Sequence, residues 1–165
     1  MILDIGCGDN PKGDVNVDLY RYTNQTGDQK WTKYVKTKCD IIASGEYLPI
    51  RDNVFENVVS HHVIEHTFNP KRFLLEAIRV SKSRILIACP HRKSPGARMP
   101  FHRQYLDENW FAEAVMNLGV GMTFEITTEG YFPPFIMSRN RYVRYIMRHY
   151  WPIRRLDGLK IEILK

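Results

Sequence analysis

The sequence predicts a single α/β domain: a mostly parallel seven-stranded sheet with helices on both faces and an antiparallel last strand. Three observations predict it. Short apolar runs of strand type alternate with stretches of helical periodicity over the second half of the chain. The run Val54–Ser60 is largely apolar, as buried parallel strands tend to be. The opening apolar run ends directly in Gly6-Cys7-Gly8, a turn of the kind that meets ligands beyond the carboxyl ends of strands.

Each element can be justified in order. Residues 1–5 are apolar apart from Asp4 and form the first strand. Residues 15–19 (VNVDL) alternate and form the second. Residues 21–38 are polar and irregular, a loop with room for a short helix. A third strand covers 39–43, and 44–53 is a turn-rich connection with Gly45 and Pro49. The fourth strand is 54–60. Residues 70–80 form an amphipathic helix with Phe73, Leu74, Ala77 and Ile78 inward. The fifth strand, 84–89, is closed by Pro90, and a basic loop runs from His91 to His102. Asp107 is a natural N-cap for a helix over 107–118, with Gly119 as its C-cap. A strand at 122–127, a helix at 138–150 and a last strand at 159–164 complete the chain.

At 165 residues the chain suits one domain that buries its own core. A hydrophobic share of 44% excludes a disordered chain. Three cysteines, Cys7, Cys39 and Cys89, are an odd number without C-x-x-C spacing, which points to a reducing, cytoplasmic compartment. The opening does not read as a signal peptide, and no apolar run approaches a membrane span. The net charge of +6 is concentrated: from Ser138 to Lys165 eight Lys/Arg face two acids, which accounts for the whole excess. The basic surface and the glycine loop therefore belong to different parts of the molecule.

Glycine lets a backbone turn sharply and approach a ligand closely. A dinucleotide fingerprint would need a third glycine where Pro11 stands. It would also need a helix N-terminus for the pyrophosphate, and the span from Gly8 to the next strand is too short for a crossover helix. NAD is disfavoured. A ligand without phosphates, held by backbone and one acid, fits better. Asp18, near the end of the second strand, can accept two ribose hydroxyls.

These residues resemble class I S-adenosylmethionine-dependent methyltransferases. The likeness rests on Leu3-Asp4-Ile5-Gly6-Cys7-Gly8, then Val17-Asp18-Leu19, Glu46-Tyr47-Leu48-Pro49-Ile50, Asn53 to Ser60, Val63-Ile64-Glu65-His66, and Arg79-Val80 before the fifth strand. It covers residues 2 to about 91 and implies a Rossmann-like sheet and S-adenosylmethionine as cofactor. Residues 1–91 would then be the cofactor-binding half and 92–165 the acceptor-side half. The compact turn Asp9-Asn10-Pro11-Lys12-Gly13 looks like a subgroup with a shortened first crossover, linked to small-molecule and sugar-polymer chemistry.

The resemblance implies roles. Gly6, Cys7 and Gly8 would pass under the methionine part, with Asp4 near its amino group. Asp18 and Leu19 would meet the ribose, and Ser44, Gly45 and Glu46 the adenine side. Ser60 and His61 would lie under the methionine part, near the sulfonium. Ser44 stands where the family usually has Asp, and Asp40 lies four residues earlier. Glu56 replaces the usual Asp of the Phe-Asp-x-Val motif. Met1 begins the first strand, where the family has a preceding helix.

Methyl transfer from a sulfonium is an in-line displacement whose methyl group is already activated. A base is needed only where the acceptor must lose a proton, and histidine is the natural one near neutral pH. His61, His62 and His91 follow two strands that end on one edge, so they are the candidate catalytic residues. Glu65-His66 would structure the turn into the next helix. The His61-His62 and His66 spacing is near-helical, yet no metal site is expected. Cys7 reads as a packing residue, not a nucleophile.

Residues 130–156 are basic and aromatic, with Arg141, Arg144 and Arg148 along one helical face. Three readings stay open: a solvated face of a sheet-covering helix, a nucleic-acid surface, or peripheral membrane contact. The expected acceptor is a small molecule or sugar-containing glycan intermediate. The alternatives are an RNA methyltransferase and a non-catalytic S-adenosylmethionine-binding regulatory module. Ser60-His61-His62-Val63 stands where many base-amino methylases carry Asn/Asp-Pro-Pro-Tyr/Phe, which argues against that mode of base methylation.

Overall fold

A computed structural model describes residues 1–24, 34–118, 122–131 and 155–165. Its main sheet has seven strands. In chain order they are β1 (Ile2–Ile5), β2 (Val15–Asp18), β5 (Ile41–Ile42), β6 (Phe55–His61), β7 (Ser81–Pro90), β8 (Thr123–Tyr131) and β9 (Arg155–Leu164). A separate antiparallel hairpin pairs β3 (Tyr22–Asn24) with β4 (Tyr34–Lys36). The helices are α1 (Pro70–Val80) and α2 (Glu108–Asn117), with 3₁₀ turns at Ile64–His66 and Gly96–Arg98.

Across the sheet the order is β5-β2-β1-β6-β7-β9-β8. The first five are mutually parallel. β9 inserts between β7 and β8 and runs antiparallel to both, so the last strand is antiparallel as the sequence predicts. Parallel strands end on one side, so β1, β2, β5, β6 and β7 all deliver their following loops to a single edge.

Strand periodicity places the core. Leu3, Val58, Ile85 and Ile163 lie in register across four strands and are all at most 1% exposed. Their neighbours one residue along, such as Asn57, Leu86 and Glu162, are only half-buried, as alternate side chains point to opposite faces. Phe73, Leu74 and Ala77 of α1 and Phe111, Ala114 and Val115 of α2 join the same apolar cluster. The helix expected at 138–150 lies outside the described residues, as does the Gly119 C-cap.

Local chemistry sets the helix limits. Asn69 caps α1 by accepting from the Arg72 N–H at 3.0 Å, and Pro70 occupies the first turn, where its missing N–H costs nothing. Asp107 caps α2 through the Trp110 N–H at 2.9 Å, as expected. Several strands differ from expectation in length. The third is only Ile41–Ile42, while β7, β8 and β9 run longer because ladder bonds carry them past the apolar runs. Residues 21–38 contain the β3–β4 hairpin, which their polar composition does not signal. No helix among the described residues is long and apolar enough to cross a membrane.

Candidate active site

The loop after β1 is shaped by two glycines in the left-handed region, Gly6 at φ 79° and Gly8 at φ 56°. The Gly6 N–H donates to the Val17 carbonyl at 2.7 Å, which folds the loop back over the end of β2. A Cβ on Gly6 would overlap the Val63 side chain, so any other residue there is penalised by both backbone and space. A Cβ on Gly8 would meet nothing within 4 Å. The loop is packed on one side and open on the other, as a turn that passes beneath a ligand must be.

Asp18, at the end of β2, binds this loop directly. Its Oδ2 accepts from the Gly8 N–H at 2.9 Å and its Oδ1 from the Tyr20 N–H at 3.0 Å. Each oxygen keeps a second lone pair, so a vicinal diol can still be held. Leu19 beside it is 50% exposed and offers an apolar surface at the edge. Asp4 is buried at the root of the loop and accepts from the Lys12 N–H at 2.8 Å. Burial pushes its carboxyl upward, opposed first by that hydrogen bond.

Beyond β5, the Ala43 N–H donates to the Asp18 carbonyl, which places Ser44 next to the acid. The Ser44 Oγ accepts from the Glu46 N–H at 3.1 Å, leaving its own O–H as a donor. Gly45 permits close packing: a Cβ there would come within 2.5 Å of the Phe73 ring. Glu46 turns inward instead, with Oε1 accepting from the Phe68 N–H at 2.7 Å, so its carboxylate braces the start of α1.

The fourth-strand residues divide in the same way. Ser60 is 1% exposed and donates to the Ile5 carbonyl at 3.0 Å, tying β6 to β1. His61 is half-buried at the edge. Its surroundings are charged: Lys12, Asp4, His62 and Lys160 all act on it. Burial lowers its pKa below the ordinary imidazole value; Lys12 lowers it further and Asp4 opposes. His62 follows at φ 55° with an exposed side chain whose Nδ1 lies 3.3 Å from the Glu65 Oε1. Its N–H donates to the Ala88 carbonyl, fixing this strained position.

His91 is different. It is 1% exposed, its Nδ1 accepts from the Lys93 N–H, and its Nε2 therefore carries the proton facing Glu108 Oε2 at 3.1 Å. Both nitrogens are committed to holding the loop after β7 against α2. Cys7 is buried, and burial pushes its thiol up to about 12, so no thiolate stands in the glycine loop near neutral pH. Cys89 is also buried and pushed upward.

The parallel edge therefore brings together Asp4, Gly6, Gly8, Asp18, Leu19, Ser44, Gly45 and His61. Glu46, Ser60, Cys7 and His91 spend their side chains inside the fold. Sequence reading missed Lys12, which serves both Asp4 and His61. It also missed Lys38, whose N–H donates to the Gly8 carbonyl at 2.8 Å from the far side of the hairpin. No spacing rule exposes either, since both contacts are made by backbone or by charge across loops. A shallow groove of about 600 Å³ between α1 and residues 47–49 is lined by Tyr47, Arg72 and Leu75, and no glycine-loop residue reaches it.

The glycine turn and the acid at the end of β2 fit an adenosyl ligand that carries an amino-acid tail and no phosphate. Comparison with known proteins agrees. A family model described as a methyltransferase domain matches residues 3–89, more than half of the chain. No curated protein matches. A possible histamine N-methyltransferase from Thermotoga maritima is similar in structure, with TM-score 0.62, 14% identity, 99% of this chain covered and 81% of that one. A methyltransferase from Archaeoglobus fulgidus has TM-score 0.61 and 18% identity, covering 99% of this chain and 85% of that one. The plantazolicin methyltransferase BpumL, solved with S-adenosylhomocysteine, has TM-score 0.60 and 17% identity, covering 99% and 76%. The chain belongs to the methyltransferase-domain family and is a class I S-adenosylmethionine-dependent methyltransferase.

Proposed function

We propose that the chain methylates a hydroxyl or amine of a small polar acceptor, sugar-containing glycan intermediates included, with His61 as the base. The observation that carries the reading is the position of His61, half-buried on the same edge as the open side of the Gly6–Gly8 loop. S-adenosylmethionine, when bound, supplies a methyl group already activated by its sulfonium. The chain's own residues bind and position. Asp18 accepts from the ribose hydroxyls, Leu19 and Ser44 meet the adenosyl side, and Asp4 is the acid on the methionine side. Orientation of this kind is worth roughly 7–11 kcal/mol of barrier.

His61 takes the acceptor's proton as the new bond forms. Its lowered pKa keeps Nδ1 or Nε2 unprotonated and ready near neutral pH. Imidazole and lysine groups at this edge, His61, His62 and Lys12, favour a polar acceptor over an apolar one. Three unbridged cysteines fit work in a reducing, cytoplasmic compartment.

Calorimetry tests the first half: S-adenosylmethionine and S-adenosylhomocysteine bind in the micromolar range and NAD does not. Transfer of radiolabelled methyl to a panel of nucleosides, sugars, amines and RNA tests the second. Label on RNA alone would replace this acceptor class with the one favoured by the +6 charge excess of residues 138–165.

A further inference from the structure

The 3₁₀ turn after β6 carries an unusual buried acid. Glu65 is 2% exposed, and neither of its carboxylate oxygens has a hydrogen-bond partner. A buried carboxylate without hydrogen bonds is costly unless positive charge compensates it, and the exposed His62 imidazole, 3.3 Å from Oε1, is the ion-pair partner shown beside it among the described residues. Around it stand His66 and His102, and one ligand-capable atom from each of the three residues lies within 4.8 Å of the others.

One nitrogen of the His66 ring is already committed. The His66 Nδ1 lies 3.2 Å from the Phe101 carbonyl, which can only accept, so Nδ1 carries the proton and Nε2 presents a lone pair. A backbone carbonyl fixing one ring nitrogen while the other faces a common centre is the usual support of a metal-binding histidine. The His102 Nδ1 is buried and has no hydrogen-bond partner. The two rings meet edge to face with centroids 4.7 Å apart. One ligand-capable atom from each of Glu65, His66 and His102 lies within 4.8 Å of the others, a spacing that a shared ion would close to about 3.3 Å.

The frame is already built. The Arg103 and Gln104 N–H groups both donate to the Glu65 carbonyl, at 2.8 and 3.0 Å, and the Gln104 amide donates to the Thr67 carbonyl. These bonds dock the loop that follows β7 onto the turn that follows β6, so the three side chains meet without any rearrangement of the chain. The ion-pair distance from His62 Nδ1 to Glu65 Oε1, 3.3 Å, sets a third imidazole at the rim.

We propose that Glu65, His66 and His102 form a site for a divalent transition metal of the zinc class. Two imidazoles and one carboxylate suit such an ion and do not suit magnesium or calcium, which take oxygen shells. Three protein ligands leave one position of a tetrahedral ion open. The site stands independently of methyl transfer, because metal binding is read in protein that holds no cofactor.

The test uses full-length protein stripped with a chelator and then dialysed free of it. Zinc chloride is titrated by calorimetry, and cobalt chloride by visible absorption. The expected result is one tight equivalent of zinc, a higher melting temperature with zinc present, and the intense cobalt bands of a four- or five-coordinate nitrogen–oxygen site. Glu65→Gln and His102→Ala each weaken zinc binding at least tenfold, with folding checked by circular dichroism. Wild-type protein that takes up neither ion overturns the proposal. So does zinc binding that persists unchanged in both folded variants, because it would then come from other histidines.

Discussion

The Gly8 N–H donates to the Asp18 Oδ2 at 2.9 Å, so the acid proposed for the ribose also holds the glycine loop in place. One carboxylate couples the end of β2 to the glycine loop. Asp18→Asn keeps the shape but removes the charge, and it offers an amide where two N–H groups now point. A charge-assisted hydrogen bond contributes about 1.5–3 kcal/mol, and each 1.4 kcal/mol is tenfold. Calorimetry should show S-adenosylhomocysteine affinity falling about ten- to a hundredfold, with a modest drop in melting temperature because one of the two N–H groups loses its acceptor. An unchanged affinity would remove Asp18 from the ribose role.

Gly6 sits at φ 79° against Val63, so Gly6→Ala meets two penalties. The left-handed backbone costs about 1–2 kcal/mol with a Cβ, and the overlap with Val63 adds a steric cost. Val63→Ala relieves only the second. The double variant Gly6→Ala/Val63→Ala should therefore recover part of the lost stability in thermal melts. Full recovery would mean that the backbone conformation carries no strain.

His61 is the base proposed here, and its pKa is depressed by burial and by Lys12. The neutral imidazole is the active form. The methylation rate should therefore rise with pH through an apparent pKa below 6.5 and stay level through neutral pH. His61→Gln should lower kcat by about 10²–10⁴-fold and remove the acid limb of the profile. A variant that keeps the limb would transfer the role of base to another group.

The strand-and-turn pattern of the first eighteen residues was legible because its signals are local. A strand running into Gly6-Cys7-Gly8 and an acid closing the next strand are each confined to a few residues, and parallel pairing carries both to one edge. What escaped was contact between distant segments. Glu65 and His66 read as a turn, because nothing in their neighbourhood announces His102, which arrives on another loop. His91 read as an edge histidine from its place after a strand. Its burial depends on Glu108 of α2, and no pattern around His91 encodes that partner. Glu46 and Ser60 lie in matching motif positions, yet side-chain direction turns both inward.

Stability at acid pH should depend on the far end of α1. Glu76 is buried and takes two hydrogen bonds from Arg79, at 2.8 and 2.9 Å, and one from the Leu48 N–H at 2.8 Å. The Arg79 bonds hold its carboxyl below the ordinary value of 4.5, against the opposing effect of burial. A depressed folded-state pKa means that the pair's contribution is complete above 4.5, and is lost as pH falls through the folded value. Glu76→Gln should lower stability by about 2–3 kcal/mol at pH 7, somewhat under the range for a fully buried pair because Arg79 is 28% exposed. The difference from wild type should shrink below pH 4.5, where the wild-type carboxyl gains its proton. Asp52 makes the companion ion pair with Arg79 but is 67% exposed, so Asp52→Asn should cost under about 1 kcal/mol at any pH. Urea melts at pH 7 and pH 3.5 separate these outcomes. A Glu76→Gln penalty that stays constant across that range would place the stabilisation in the shape of the side chain, not in its charge.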